Sequence, residues 1–378
     1  MTFPAMMSQA ECSRIEHANW RPSGFFRSRP TVLTLILCGF LLWLDGTSGR
    51  ARADAQTESG QDRSLAKAAP SASAPLNRHM GPLLVQSHAF FQLLRLGMIP
   101  WMNPSLEPGQ FELHSSVTWV NLWGWKPARY LVDAEVARVS WILCSGVTRR
   151  LEVRLEVPFT LRTGGLLDKP IEGFHDAFGY VQAGRDAFPR NRFRVVFYPT
   201  SGGEVRLDDA DTGLDAGDIA FSARWALYEG TKWLPAVGLS PTLKIPTGQN
   251  EGGGVDGAIS FYVSKKIWKA YGYFGLQYTR YGQGEILGIS MRPEQWSFLS
   301  CLEIPVSDRI SLLVQDLIQT GAARHFYAFS ESTHELAAGL KFRFHPEALL
   351  EFALIENLFN YDNSPDIGVH LGLSWRFG

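Results

Sequence analysis

One stretch, from Arg149 to Arg162, alternates between apolar and polar side chains and limits the fold more than any other feature. Because successive side chains of a β-strand point to opposite faces, this pattern predicts one long strand. A helix would distribute the same residues around its axis and leave no apolar stripe. The two predicted faces are Leu151, Val153, Leu155, Val157, Phe159 and Leu161, and opposite them Arg150, Glu152, Arg154, Glu156, Thr160 and Arg162.

The apolar face of this strand could pack on a protein core or lie against lipid. Strands of soluble sheets usually contain about five or six residues, whereas a strand that crosses a bilayer needs roughly 9 to 11. The length of the stretch therefore favours a membrane barrel.

Similar alternation recurs along the chain to its last residues. We count about 12 strands (12–14), and closed bacterial barrels use an even number. The final stretch, from Ile367 to Phe377, is amphipathic and ends in an aromatic residue followed by Gly378. The fold prediction is an all-β, transmembrane antiparallel β-barrel whose last strand is read by the outer-membrane assembly machinery.

Aromatics near the ends of the alternating runs are expected to form an interfacial girdle: Tyr271, Tyr273, Tyr278, Tyr281, Trp123, Trp125 and Trp233.

The N-terminus carries the features of a secretory signal peptide. Arginines precede an apolar run from Thr31 to Leu44, which is too short to span a bilayer comfortably, and Ala51-Arg52-Ala53 is a small-x-small cleavage site. We predict a cleaved signal peptide at residues 1–53, a disordered linker at 54–80 and the barrel at 81–378. An uncleaved anchor helix is the alternative. The expected location is the outer membrane of a Gram-negative bacterium.

Composition excludes some classes of protein. The formal net charge of −1 gives no basic excess for nucleic acid, and 45% hydrophobic residues are too few for a multi-helix membrane protein. Cys144 and Cys301 remain after the predicted cleavage, and they could pair or stay as two isolated thiols.

Two segments interrupt the alternation. Pro82 to Pro100 suits a short helix or an irregular segment packed against the barrel. The stretch from Thr163 to Asn191 is too long for a turn, and loops of that length are usually functional or disordered. We expect it to fold over or into the barrel mouth as a constriction loop whose main residues are Phe174, His175, Asp176, Phe178, Arg185 and Asp186.

Ser145-Gly146 is the turn expected before the strand at Arg149.

Several stretches together resemble an uncharacterised family of Gram-negative outer-membrane proteins, a domain of unknown function. They are residues 131–135, 151–158, 171–179, 191–195, 211–218 and 243–248. The last two are also distantly similar to barrels for uptake of aromatic or apolar compounds. The resemblance covers roughly residues 80–378 and implies a barrel fold and an outer-membrane location, without a substrate or a catalytic residue.

Other motifs fit site chemistry poorly. Gly252, Gly254 and Gly257 match a dinucleotide pattern, but a strand follows them where a helix is required. The acidic turn of Asp209, Asp211, Asp215 and Asp218 lacks the spacing of an EF-hand, so a solvated loop is favoured over calcium. His175 and Asp176 could be a base and its orienting partner, but no nucleophile motif accompanies them. We therefore expect no catalytic residue, metal or cofactor.

The functional hypothesis is a monomeric, porin-like outer-membrane barrel, either a passive pore or a transporter for small or apolar molecules. Its lumen would be lined by Arg150, Glu152, Arg154, Glu156 and Arg162, and its partners would be the lipid bilayer and a small-molecule solute. The alternatives are a barrel hydrolase that acts on envelope lipids and a soluble periplasmic β-protein.

Overall fold

The computed structural model describes residues 79–101, 106–179, 183–248, 253–357 and 361–378. The predicted signal peptide and all but the last two residues of the predicted linker lie outside these ranges. No helix within them is long and apolar enough to cross a membrane.

Twelve long strands form one closed antiparallel barrel, which confirms the predicted fold class. Strand β1 pairs with the last strand in a register that places Phe111 opposite Phe377 and Asn121 opposite Ile367. The barrel strands are β1 (Phe111–Lys126), β2 (Tyr130–Thr148), β3 (Leu151–Thr163), β4 (Ile219–Tyr228), β5 (Ala236–Ile245), β6 (Asp256–Ile267), β7 (Ala270–Arg280), β8 (Glu294–Pro305), β9 (Ile310–Gln319), β10 (Thr333–His345), β11 (Ala348–Glu356) and β12 (Ile367–Phe377).

The barrel strands have an apolar outer face, and their inner faces combine polar and charged side chains with buried apolar ones. On β9, Leu312 and Val314 are 49% and 52% exposed, whereas Ser311 and Gln315 are buried. Soluble proteins rarely expose a continuous apolar belt of this kind, but lipid-facing barrel strands require one. The outward apolar face excludes the alternative in which a soluble β-protein turns that face inward.

The two ends of the barrel differ in the length of their connections. At one end, here called the short-turn end, the strands are joined by residues 149–150, 229–235, 268–269, 306–309 and 346–347, and the C-terminus lies at this end. At the opposite, long-loop end the connections are residues 127–129, 164–218, 246–255, 281–293, 320–332 and 357–366. This asymmetry is typical of outer-membrane barrels.

The long loops carry the remaining secondary structure. Helix α1 (Asp168–Phe178) lies in the longest of them. Short strands occupy Arg194–Phe197, Val205–Leu207, Gly213–Ala216, Glu285–Ile286 and Ile289–Ser290, and 3₁₀ turns occupy Arg185–Ala187, Asp209–Asp211, Tyr327–Ser330 and Tyr361–Asn363. Strand Arg194–Phe197 pairs with the start of β2 and extends the sheet above the barrel.

Two local predictions are wrong. Ser145-Gly146 is not a turn, because β2 continues through it to Thr148 and the turn lies at residues 149–150. Gly146 instead lets the backbone at Glu107 lie close to β2, because a Cβ at position 146 would lie 2.3 Å from the carbonyl oxygen of Glu107. The predicted girdle is also partly wrong, since Tyr273, Tyr281 and Trp123 are buried rather than lipid-facing.

Candidate functional site

The barrel lumen is filled by the chain that precedes β1. We call residues 79–101, together with Leu106, the lumenal segment. Its residues have no regular secondary structure apart from a turn at 90–94, and almost all are buried. It starts near the short-turn end, reaches the long-loop end at the turn, and returns to the short-turn end at Leu106. The segment predicted to pack against the barrel therefore lies inside it.

Carboxylates near the short-turn end hold the first arm of the lumenal segment. The backbone N–H groups of Met80 and Gly81 donate to Glu303 at 2.7 and 3.1 Å, and that of Leu84 donates to Glu351 at 2.7 Å. The ammonium of Lys341 donates to the Pro82 carbonyl at 2.6 Å. These contacts give the irregular backbone the partners that it would otherwise lack when buried.

Glu335, on β10, holds the turn of the segment. Its carboxylate accepts hydrogen bonds from the Ser87 hydroxyl and from the backbone N–H groups of His88 and Ala89. Nearby, the Gln86 side chain donates to Glu156 at 2.6 Å. The turn is therefore fixed by charge-assisted hydrogen bonds, which are stronger than neutral ones.

The returning arm is held by other strands. Leu96 N–H donates to Asp256 at 3.1 Å, the Tyr262 hydroxyl donates to the Ile99 carbonyl at 2.9 Å, and Leu106 N–H donates to Glu152 at 3.0 Å. A Cβ at Gly275 would lie 2.3 Å from the terminal methyl of Met98. Glycine at 275 thus lets the arm lie directly on the barrel wall.

The predicted lumen-lining residues occupy three different environments. Glu152, Arg154 and Glu156 are buried and face the interior, where both glutamates contact the lumenal segment. Arg150 lies in the exposed turn, 3.5 Å from Glu229. Arg162 lies towards the long-loop end, where it donates to Asp215 at 2.6 Å.

An apolar cluster closes the long-loop end above the lumenal segment. Phe91, at the turn of the segment, packs against Phe197 and Phe329 with ring centroids 5.4 and 5.2 Å apart. We call the buried residues around it the apolar cap. They include Leu93, Val120, Leu122, Tyr130, Val132, Phe193, Val195, Ile286, Ile289, Met291 and Phe326. The members of the cap are distant in sequence, so the sequence analysis did not predict it.

The predicted constriction loop is attached to the barrel mouth through Arg185. This buried guanidinium donates to Asp168 at 2.8 Å, to Asn121 at 2.9 Å and to Asp366 at 2.5 Å. Asp176 and Asp186 are exposed, and the side chains of Phe174, His175 and Phe178 lie outside the described part of the chain. Within the described residues, the barrel interior is filled by the lumenal segment.

The four aspartates of the acidic turn all have protein partners. Asp209 accepts the Phe193 N–H at 2.9 Å and pairs with Arg192, and these contacts lower the pKa of Asp209 below its ordinary value. Asp211 accepts a backbone N–H at 3.0 Å, and the other two, Asp215 and Asp218, pair with Arg162 and Lys244. No group of three or more metal-ligating side chains is found in the described ranges.

Histidines and hydroxyls also meet on the inner wall, at strands β1 and β12. The Thr118 hydroxyl lies 2.7 Å from His370 Nδ1, and His370 Nε2 lies 2.9 Å from Glu351. His370 is fully buried, and the same oxygen of Glu351 accepts the Leu84 N–H. Through Glu351, this triad-like set is therefore connected to the lumenal segment.

A cavity of about 760 Å³ remains at the short-turn end, below the lumenal segment. We call it the vestibule. Its wall combines apolar residues such as Ile142 and Leu234 with basic and acidic side chains, among them Arg154, Arg224 and Glu152. This volume lies within the range of small-molecule sites.

Comparison with solved structures finds channels that are similar to this chain. The COG4313 outer membrane channel from Pseudomonas putida F1 superposes with a TM-score of 0.50 at 13% identity, covering 74% of this chain and 100% of that chain. The NanC porin gives a TM-score of 0.41 at 8% identity, with 70% and 98% covered. A deletion mutant of the TodX monoaromatic hydrocarbon channel gives 0.36 at 8% identity, with 77% and 99% covered. At such low identity the first of these supports the barrel fold alone.

A search of curated proteins found no match. A family model does match, over residues 65–377, which include every barrel strand and the whole lumenal segment. The chain therefore belongs to the family described as protein of unknown function DUF3187.

Proposed function

We propose that this protein is a monomeric channel or transporter for small or apolar molecules in the outer membrane of a Gram-negative bacterium. The apolar outer face of the barrel supports a lipid partner, and the polar inner face supports a path for solutes. Strand β12, which ends in Phe377, would be the part that the assembly machinery reads. In this arrangement the short-turn end is periplasmic and the long-loop end is extracellular.

The observation that carries the proposal is that a barrel lumen with many polar and charged side chains exists but is occupied by a segment of the same chain. Six buried carboxylates accept hydrogen bonds from that segment: Glu152, Glu156, Asp256, Glu303, Glu335 and Glu351. The structure would thus represent a closed state, and solutes would pass only after the lumenal segment and the apolar cap move.

The hydrogen bonds that hold the lumenal segment determine how strongly the closed state is stabilised. Hydrogen bonds to charged groups contribute about 1.5–3 kcal/mol each, so the full set holds the segment firmly while single contacts remain replaceable. Withdrawal would leave the lumen carboxylates to water or to the passing solute. The constriction loop, attached through Arg185, would form a second restriction at the extracellular mouth.

Planar bilayer recordings test this proposal with the purified full-length mature protein. Glu335→Ala removes the acceptor for the turn of the segment and should increase the frequency of channel openings. The matched control is Glu294→Ala, which removes a half-exposed carboxylate of β8 that pairs with Arg280. Absence of conductance in both the native protein and Glu335→Ala would overturn the channel, and an equal effect of both substitutions would overturn the role of the segment.

A further inference from the structure

A buried arginine of the barrel wall has no carboxylate partner among the residues that the structure describes. Arg154, on β3, is 5% exposed and forms no ion pair with any described residue. Its hydrogen bond to the Ser222 hydroxyl is long, at 3.4 Å, and its Nε has no acceptor among the described residues. Burying a charge without a counter-charge is costly, so the surroundings of Arg154 need explanation.

Four of the five carboxylates that line the vestibule already have a cation, and the fifth, Glu347, lies in the turn between β10 and β11. Glu152 pairs with Arg224 and also accepts the Leu106 N–H. The other acidic residues that line the vestibule near Arg154 pair in the same way: Glu107 with Arg149, Glu112 with Arg376 and Glu229 with Arg150. The wall beside Arg154 therefore carries a surplus of positive charge.

Trp101 fixes the orientation of this charge. The guanidinium carbons of Arg154 and Arg224 lie 4.0 and 4.3 Å from the centre of its ring. Stacking on the ring holds a guanidinium in place while its N–H groups remain available in the plane of the group. Arg154, Arg224 and Trp101 all line the vestibule, so the guanidinium of Arg154 lies at the wall of this cavity.

We propose that the vestibule is a binding site for small organic anions that carry a carboxylate, with Arg154 as the residue that binds it. A planar carboxylate matches the fork of N–H groups that a guanidinium presents. The cavity of about 760 Å³ has room for an organic body beside apolar residues such as Ile142 and Leu234. The site is independent of the channel proposal, because it requires binding alone.

Isothermal titration calorimetry on the purified full-length protein in detergent tests the site, with benzoate as the probe and neutral, planar benzamide as its match. Benzoate should bind, and benzamide should bind at least about tenfold more weakly because it lacks the charge. Arg154→Gln should weaken benzoate binding by a similar factor. Arg162→Gln removes an arginine of the same strand that pairs with Asp215 outside the vestibule, and it should leave benzoate binding unchanged.

If Arg154→Gln does not assemble, Arg154→Lys takes its place. Lysine keeps the charge but lacks the planar fork, so benzoate affinity should fall by several-fold. Unchanged affinity in whichever of these variants assembles would overturn the site, as would equal binding of benzoate and benzamide. Tighter binding of inorganic phosphate than of benzoate would overturn the assignment to carboxylates.

Discussion

Both carboxylate oxygens of Glu335 accept the backbone N–H of His88, at 2.9 and 3.2 Å, although the two residues are 247 positions apart in the chain. Glu335 belongs to the barrel wall, and His88 belongs to the turn of the lumenal segment. This contact therefore joins the part of the protein that forms a pore to the part that fills it.

Two cysteines in the described part of the chain, Cys144 and Cys301, can report whether the lumenal segment leaves its place. Cys301 is buried beside Leu83 and Val85 of the first arm, and Cys144 is buried beside Met98 and Trp101 of the returning arm. Glu335→Ala leaves buried donors without an acceptor, which costs about 1–3 kcal/mol. If this cost destabilises the closed position of the lumenal segment, the segment will be withdrawn more often and both cysteines will be exposed more often. Their labelling by a thiol reagent should then become roughly 5- to 150-fold faster.

Cys144→Ser and Cys301→Ser assign the labelling to one arm or the other, and Glu294→Ala serves as the control that should label at the native rate. Labelling in Glu335→Ala that is as slow as in the native protein would show that the turn contact does not hold the segment in place.

The barrel could be predicted because each strand shows its alternating pattern within a short stretch of sequence. Alternation between the two faces can be read within β3 alone, and the final strand shows it again up to Phe377. The lumenal segment has no such period, and its partners are far away in sequence: Met80 meets Glu303 across 223 positions, and Leu96 meets Asp256 across 160. Contacts of that kind depend on closure of the barrel, which no short window of sequence reveals.

The same reason limits what the sequence predicts about the site. The alternation of side chains indicated that Glu152, Arg154 and Glu156 share an inward face. Alternation does not show where along the barrel axis a residue lies, so Arg150 was grouped with them although it lies in a turn. The ring of Trp101 and the guanidinium of Arg224 come to Arg154 from separate segments. That vestibule cluster could not be assembled from the sequence.

A charge on the outer face should destabilise the barrel according to its depth. Val314 lies midway along β9 and is 52% exposed, so Val314→Arg should cost roughly 2 to 4 kcal/mol near the bilayer midplane. Val306→Arg is the control, because Val306 lies in a short turn and is 63% exposed, where the cost should be about 0–1 kcal/mol. Reversible unfolding in lipid vesicles measures both, and equal costs would argue against a lipid-facing belt.

Phe377→Ser should impair assembly of the barrel. Phe377 is the last residue of β12, and its ring stacks on Phe111 of β1 with centroids 5.7 Å apart at the seam that closes the barrel. Phe344→Ser is the matched control, since Phe344 is similarly exposed near the short-turn end of β10. The folded fraction in the outer membrane, measured by heat-modifiable gel mobility, should fall for Phe377→Ser alone. Equal levels for both variants would contradict a special role of the terminal aromatic.

Replacing residues 166–189 with a short Gly-Ser linker separates the constriction loop from the lumenal segment. The barrel should still assemble, because the replaced residues contain no barrel strand and loop-closure entropy depends only weakly on length. The replacement removes Arg185 and Asp168, so the ion pair with Asp366 at the mouth is lost. Since the lumenal segment still fills the barrel, the single-channel conductance of this variant should stay close to that of the native protein.

The decisive variant combines the linker with Glu335→Ala. If the segment is the inner restriction and the loop the outer one, the combination should conduct more per opening than Glu335→Ala alone, because both restrictions act in series on the same path. A loop replacement that by itself raises conductance to the level of the combination would instead make the loop the dominant constriction. Equal conductance of Glu335→Ala with and without the loop would leave the lumenal segment as the restriction that closes this barrel.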